Sequence, residues 1–373
     1  MPSRDTDCIG VSLGRRAMLF ASACVGLSFI PAAGQAMTGV AALDTPSISV
    51  KFPSKIFLDA ITCAGKRLIA AGEHGVIIYS DDNGATWLQA EVPVNVELTT
   101  VMFVTPQIGW AAGHFGVVLA TSNGGKTWIT QLNGIQANQL TEEAAQDPAV
   151  ATNPCPCAPL AMVRAGHFIA EGPDKPFLTM LVFSPLKILA LGAYRMAMLT
   201  EDGGKSWVDW SLHIYDKYSH NIYGAASVGL KLYLVGEQGL IFCSVDNGNT
   251  FLPLPTASSV TLFGIIGAQD GSLVIFGVAG ACFRSTDGGK SWTAVILPSQ
   301  DDIPAGLVLR SGKILLISEA GALFKSADNG ASYEKVSGIT PMPFFALEEA
   351  ANGDLVIVGA AGVSRLSRQM FNS

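Results

Sequence analysis

Cations are scarce in this chain of 373 residues: 23 Lys and Arg stand against 30 Asp and Glu, and charged residues of every kind reach only 14%. Nucleic acid and anionic membrane surfaces recruit a basic excess, so the balance argues against both as partners. Cysteine is sparse too, at seven. Cys8 and Cys24 lie near the start, which leaves Cys63, Cys155, Cys157, Cys243 and Cys282. An odd set cannot pair off completely within one chain. The stretch CPC at 155–157 lacks the second pair and the histidine spacing of a structural zinc site, so a surface loop with free or oxidised thiols is expected there. The five histidines contain no His-x-His or His-x3-His pair, so neither a metal nor a cofactor is expected. After residue 36 every apolar stretch is interrupted by Gly, Pro or charge, which excludes a membrane-spanning helix of the usual length.

What is present begins with an export signal over residues 1–36. Arg15 and Arg16 precede an apolar run from Ala17, a break at Pro31 and small residues ending at Ala36. Adjacent arginines followed by x-Met-Leu resemble the twin-arginine type, whose cargo crosses the membrane folded; a Sec-type signal and a lipoprotein signal at Cys24 are the alternatives. Cleavage takes three arginines and two aspartates from a net charge of −7 and leaves −8. A soluble periplasmic or other extracytoplasmic monomer is expected, at most peripheral to a membrane.

An eight-residue cluster recurs through the remainder: SDDNGATW, TSNGGKTW, TEDGGKSW, SVDNGNTF, STDGGKSW and SADNGASY. Their first residues are Ser80, Thr121, Thr200, Ser244, Ser285 and Ser326, in steps of 41, 79, 44, 41 and 41. A further step of 41 reaches Ser367, where the rest of the cluster is missing. Five residues before each of these seven positions stands Gly75, Gly116, Arg195, Gly239, Gly280, Gly321 or Gly362. Each unit reads as apolar strand, turn, apolar strand, G-x-x-G turn, apolar strand, D-x-G turn and a strand opened by an aromatic residue. Seven such units in phase predict an all-β chain, a seven-bladed β-propeller over 45–373. The last unit ends without an outer strand, and SISVKF at 47–52 is expected to close the ring as the fourth strand of blade seven. The long step carries a surplus that places an inserted loop, 134–176, between blades two and three.

The cluster is the Asp-box, or BNR repeat, and its chemistry is that of a turn. Asp82, Asp202, Asp246, Asp287 and Asp328 are expected to accept backbone N–H groups two residues on, with Asn123 doing the same as an amide. Trp87, Trp128, Trp207 and Trp292 are expected to wedge between adjacent sheets, with Phe251 and Tyr333 as substitutes. The boxes join third to fourth strands on one rim, so they are scaffold and not a set of catalytic carboxylates.

With boxes and phase established, the chain resembles the photosystem II stability/assembly factor-like proteins, seven-bladed BNR propellers. EGPDKPFL at 171–178 and LGAYRMAMLTEDGGKSW at 191–207 are similar to a bacterial branch of that family associated with RND-type exporters. The resemblance implies a non-enzymatic binding or assembly factor docking a membrane protein or transporter complex. The photosynthetic members carry a basic patch, whereas this chain is acidic and keeps seven arginines after cleavage. Candidate contacts lie on the rim opposite the boxes: His74, His114, Tyr194, Arg195 and Glu237 in second-to-third-strand turns, Arg164 and His167 in the insertion, and His213, Tyr218 and His220 in the connection after blade three. All five histidines are placed on that rim, although polar residues gather in loops in any protein. Arg195 is singled out because six other blades have Gly in its register; it is either a docking residue or a cap on Glu171 or Asp216. A sialidase-like glycoside hydrolase is the alternative from another class. It needs an arginine cluster on one rim, and only Arg164 and Arg195 are placed there.

Overall fold

The computed structural model describes residues 40–372. Seven antiparallel sheets follow one another along the chain, six of four strands and the last of three. They span 58–89, 98–132, 177–209, 222–253, 262–294, 305–335 and 344–366. Past its first residue, which is Arg67 or Lys231 in two of them, the second strand of each is apolar because neighbouring sheets cover both of its faces. In Arg67–Gly72, for example, Leu68, Ile69, Ala70 and Ala71 are all fully buried. That strand ends in glycine for a packing reason: a Cβ on Gly72 would stand 2.1 Å from the carbonyl oxygen of Phe57.

Each main core cluster joins two successive sheets, and the series returns to its start. Ile69 and Leu98 share one cluster, Trp110 and Ile188 the next, and so on around to Val356 and Val358 of sheet seven, packed on Leu58, Leu68 and Ile78 of sheet one. This cyclic order is the arrangement of a seven-bladed propeller, closed by side-chain packing between blades seven and one.

Closure by an N-terminal strand is not what the structure contains. Residues 47–52 form no strand and rest on blade one: Ser47 N–H donates to Val92 O at 3.0 Å. The Gln89 amide donates to Ile48 O at 2.6 Å and accepts from Val50 N–H at 3.0 Å. One side chain thus satisfies two of the backbone groups that a ladder would have used, and Pro53, without an N–H, opens a 3-10 turn over Pro53–Lys55.

The seventh unit repairs its lost box differently. After Ser367 a short helix, here α3 (Gln369–Asn372), buries Phe371 at 1% exposure among Val336, Leu347 and Leu355, in the core between blades six and seven. The box aromatics hold the corresponding places elsewhere: Trp128 between blades one and two, Trp207 between two and three, Phe251 between three and four, Tyr333 between five and six.

The insertion is helical rather than a loop. Helix α1 (Gly134–Gln146) starts in a capping box, with the Asn133 side chain accepting from Gln136 N–H and the Gln136 side chain from Asn133 N–H. Helix α2 (Ala161–Glu171) packs against it, and Asn138 Nδ2 donates to Phe168 O at 2.8 Å and Gly172 O at 3.1 Å. Between them Cys155 and Cys157, both buried, form a disulfide. The proposed signal, residues 1–36, lies outside the described residues.

Candidate partner-binding rim

The boxes use up their own polar groups. In the first, Ser80 Oγ accepts from Gly84 N–H at 2.9 Å and donates to Asp82 Oδ1 at 2.7 Å. Asp82 accepts from Thr86 N–H at 2.8 Å and from the Thr86 hydroxyl at 2.6 Å. Asp202, Asp246, Asp287 and Asp328 repeat this, and Asn123 Oδ1 accepts from Lys126 and Thr127 N–H while its Nδ2 donates to Thr127 Oγ1. The carboxylate therefore reaches the N–H four residues on, not two, and the N–H of the box glycine goes to the opening hydroxyl. Hydrogen bonds from Thr86, first its side chain and then its backbone, pull the Asp82 carboxyl down to about 2. The Ser206 and Ser291 side chains hold Asp202 and Asp287 below the usual carboxylate range in the same way. A carboxylate bound this firmly as an anion is a poor proton donor.

On the other rim, the turn of blade three has two successive residues in the left-handed region, Tyr194 at φ 52° and Arg195 at φ 57°. Other blades place Gly at the second of these positions, such as Gly116 at φ 59° and Gly239 at φ 74°. Arg195 is held there by burial and hydrogen bonding. It is 1% exposed, its N–H donates to His220 O at 2.9 Å, and its Nη1 donates to the carbonyl of Asp216. Burial, then the neighbouring Arg164, bring its pKa down to about 10 against the pull of Asp216 and Asp209. Arg195 is thus no surface contact; it supports the loop beside it.

That loop, 214–221, is folded around Asp216. The carboxylate accepts from Tyr218 N–H at 3.1 Å and His220 N–H at 2.6 Å, and lies 3.0 Å from His220 Nδ1. Tyr194 N–H donates to Asn221 Oδ1 at 2.8 Å, and Glu237 Oε2 accepts from Asn221 N–H at 3.2 Å. Tyr218 stands out from this frame, 73% exposed.

The insertion is anchored by Asp209, on the outer strand of blade three. Its Oδ2 accepts from Thr141 Oγ1 of α1 at 2.7 Å and from Arg164 Nη2 of α2 at 3.0 Å, and Arg164 Nη2 also donates to Ser211 Oγ at 2.5 Å. Burial pushes the Asp209 carboxyl up, but Arg164 and the hydrogen bonds from Ser211 and Thr141 outweigh it and hold the group below its ordinary value. Arg164, expected on the surface, is therefore an internal anchor with its side chain 9% exposed. Helix α2 buries Ala161, Ala165 and Phe168 and turns Met162, Val163 and Ile169 outward. Phe168 meets the half-exposed Tyr194 ring edge-on at 6.4 Å, which joins the helix to the blade-three turn.

The remaining candidates do not form one cluster. His74 is exposed, 3.1 Å from Asn95 Oδ1, and His114 is half-buried in the blade-two turn. His167 is exposed on α2, 3.8 Å from Glu171. His213 is on the wrong rim: its Nδ1 lies 2.6 Å from Asn249 O inside the box of blade four, and its ring stacks on Trp210 at 3.5 Å. The five histidines thus do not share a face. Tyr194, Tyr218 and His220 do come together beside blade three, through Arg195 N–H on His220 O and the Tyr218–His220 ring contact, with Tyr194 against Phe168 of α2. Asp209 and Thr141 were missed as anchors, whereas Asp216 is one of the groups expected for Arg195 to cap, and its carbonyl does accept from Arg195 Nη1. No local signal marks the contacts of Asp209 with Thr141 and Arg164, which lie 68 and 45 residues away in sequence. Among the described residues no group of His, Cys, Asp and Glu is placed to hold a metal ion.

The family model described as photosynthesis system II assembly factor YCF48 matches residues 178–336, blades three to six. No curated protein matches the sequence significantly. Among solved structures, YCF48 from Cyanidioschyzon merolae aligns with a TM-score of 0.62 at 13% identity, covering 85% of this chain and 97% of its own. A structure of YCF48 bound to D1 peptide aligns at 0.61 and 15% identity over 87% and 99% of the two chains. The WD40 β-propeller domain of Doa1 aligns nearly as well, at 0.60 and 10% identity over 88% and 98%. At such identities the likeness is one of fold.

Proposed function

We propose that this protein is a non-enzymatic, extracytoplasmic binding factor of the photosystem II assembly factor-like kind, which docks a segment of a membrane protein on the rim opposite its boxes. The observation that carries this is that the YCF48 family match, over 178–336, takes in the most elaborated turn and loop of the rim, Tyr194 and the loop bearing Tyr218. The insertion, which ends just before the matched region, flanks them through Phe168 of α2. The solved YCF48 complex with D1 peptide supports a peptide of a larger protein as the ligand class. The acidic balance favours a partner other than that of a basic-patched photosynthetic factor, and an accessory role beside an RND-type exporter is the more particular form of the proposal.

The hydrolase alternative loses its arginines. Arg195 and Arg164 are buried and engaged, while Arg67 pairs with Asp81 and Arg284 with Asp270, both at box-side turns. Pull-down of the tagged protein from detergent-solubilised membranes of its source, compared with Tyr218→Ala and Ile169→Glu variants of unchanged melting, tests the proposal. Loss of one specific membrane protein in both variants supports it; equal recovery in all three overturns it.

A further inference from the structure

Among the described residues six blades finish with a fourth strand and blade seven does not. In blade one the fourth strand sets Gln89 against Ile78 and Leu88 against Tyr79, the two residues just before the first box residue, Ser80. The same offsets from Ser367 fall on Arg365 and Leu366, in the outer strand Gly362–Leu366. Beyond Ser367 the chain leaves this edge to bury Phe371, and residues 47–52 are held by Gln89. Among the described residues, no strand pairs with the outer edge of Gly362–Leu366. An unpaired edge presents main-chain donors and acceptors in ladder order.

The charges around this edge are unlike those of the chain as a whole. Lys55 lies at its Gly362 end, where a Cβ on Gly362 would stand 2.8 Å from Lys55 Cα. Arg365, on the strand, keeps its side chain 40% exposed while held by Asp354, and Arg368 follows in the next turn. Lys55 and Arg368 are exposed, and among the described residues no ion pair engages either. In a chain of net charge −7 this is a local cationic border.

We infer that the outer edge of blade seven is a docking site for an extended, acidic segment of a partner protein, which adds as the missing fourth strand and sets its carboxylates against Lys55, Arg365 and Arg368. Main-chain pairing supplies the attachment and the cations select the partner. A second copy of the chain fits less well, because antiparallel pairing of two such edges brings like charges together. The site is separate from the rim proposed above and stands or falls without it.

The test uses the full chain and two synthetic nonapeptides, one alternating threonine with glutamate and one threonine with lysine. Amide hydrogen exchange is followed residue by residue. The glutamate peptide is expected to slow exchange over residues 363–366 by about fivefold or more at millimolar concentration, and the lysine peptide to leave it unchanged. Lys55→Glu with Arg368→Glu, two exposed substitutions, should reverse that preference without altering the melting curve. Slow exchange of these amides before any peptide is added would show that the chain covers its own edge. A sedimenting dimer that protects them would make the occupant a second copy. Either result overturns the inference, as does protection confined to other residues or unaffected by the charge reversal.

Discussion

Arg164 of the insertion and Asp209 of blade three face each other at 3.0 Å, with side chains 9% and 2% exposed, and Thr141 and Ser211 complete the cluster. A buried pair of this kind contributes little over an apolar substitute, but removing one partner strands the other. Asp209→Ala should therefore destabilise the protein by about 3 to 5 kcal/mol. Denaturant titration measures this, and limited proteolysis should show the first cuts within 134–176. A variant as stable as the parent would mean that the insertion is anchored elsewhere.

Acid should unfold the protein through its boxes. Asp82 titrates at about 2 in the folded state against 3.8 for the free side chain. A depressed carboxyl contributes stability that is fully present above the unfolded value and lost as pH falls through the folded one. Stability should consequently hold down to about pH 4 and fall between there and about pH 2, as Asp202, Asp246, Asp287 and Asp328 add losses of the same sign. Melting temperature against pH is the measurement, and Asp82→Asn should flatten the acid limb. An acid limb centred near pH 6 would point to histidines instead.

Phe371 should matter as much as a box tryptophan. Phe371→Ala leaves a cavity between blades six and seven and is expected to cost about 3 to 5 kcal/mol, similar to Trp128→Ala between blades one and two. Thermal or denaturant unfolding of the two variants side by side decides this. A neutral Phe371→Ala would show that the C-terminal turn is only a tail.

Arg195→Gly poses two opposing effects. Glycine relaxes the backbone at φ 57°, but the guanidinium bond to the Asp216 carbonyl is lost with it. The loop should suffer most: hydrogen exchange over 214–221 should quicken by about tenfold while the blade strands keep their protection. Unchanged exchange would mean that Asp216 orders this loop without help.

The blades were legible in sequence because each depends on chemistry confined to one unit: Ser80, Asp82, Gly84 and Thr86 bond to one another within seven residues. The insertion was not. The buried positions of α1, among them Ala137, Asn138, Thr141 and Ala145, are small or polar and leave no apolar stripe to read, although Asn133 and Gln136 did carry a capping signal. Arg195 showed as an exception to a glycine register, yet its burial depends on a loop beginning some twenty residues later. His213 was misplaced because the connection after blade three stays on the box side as far as Ile214, which bridges to Phe251. The N-terminal segment was expected as the strand that blade seven lacks, and its fate turned on Gln89, which no local pattern exposes.

The central claim is that partners dock beside blade three on the rim opposite the boxes. Site-specific photocrosslinking in cells tests it most directly, with the crosslinker placed in turn at Tyr218, at Ile169 and at Leu230, a box-side turn residue 96% exposed. The account predicts one shared membrane-protein adduct from positions 218 and 169 and none from 230. Adducts from position 230 alone, or different proteins from 218 and 169, would contradict it.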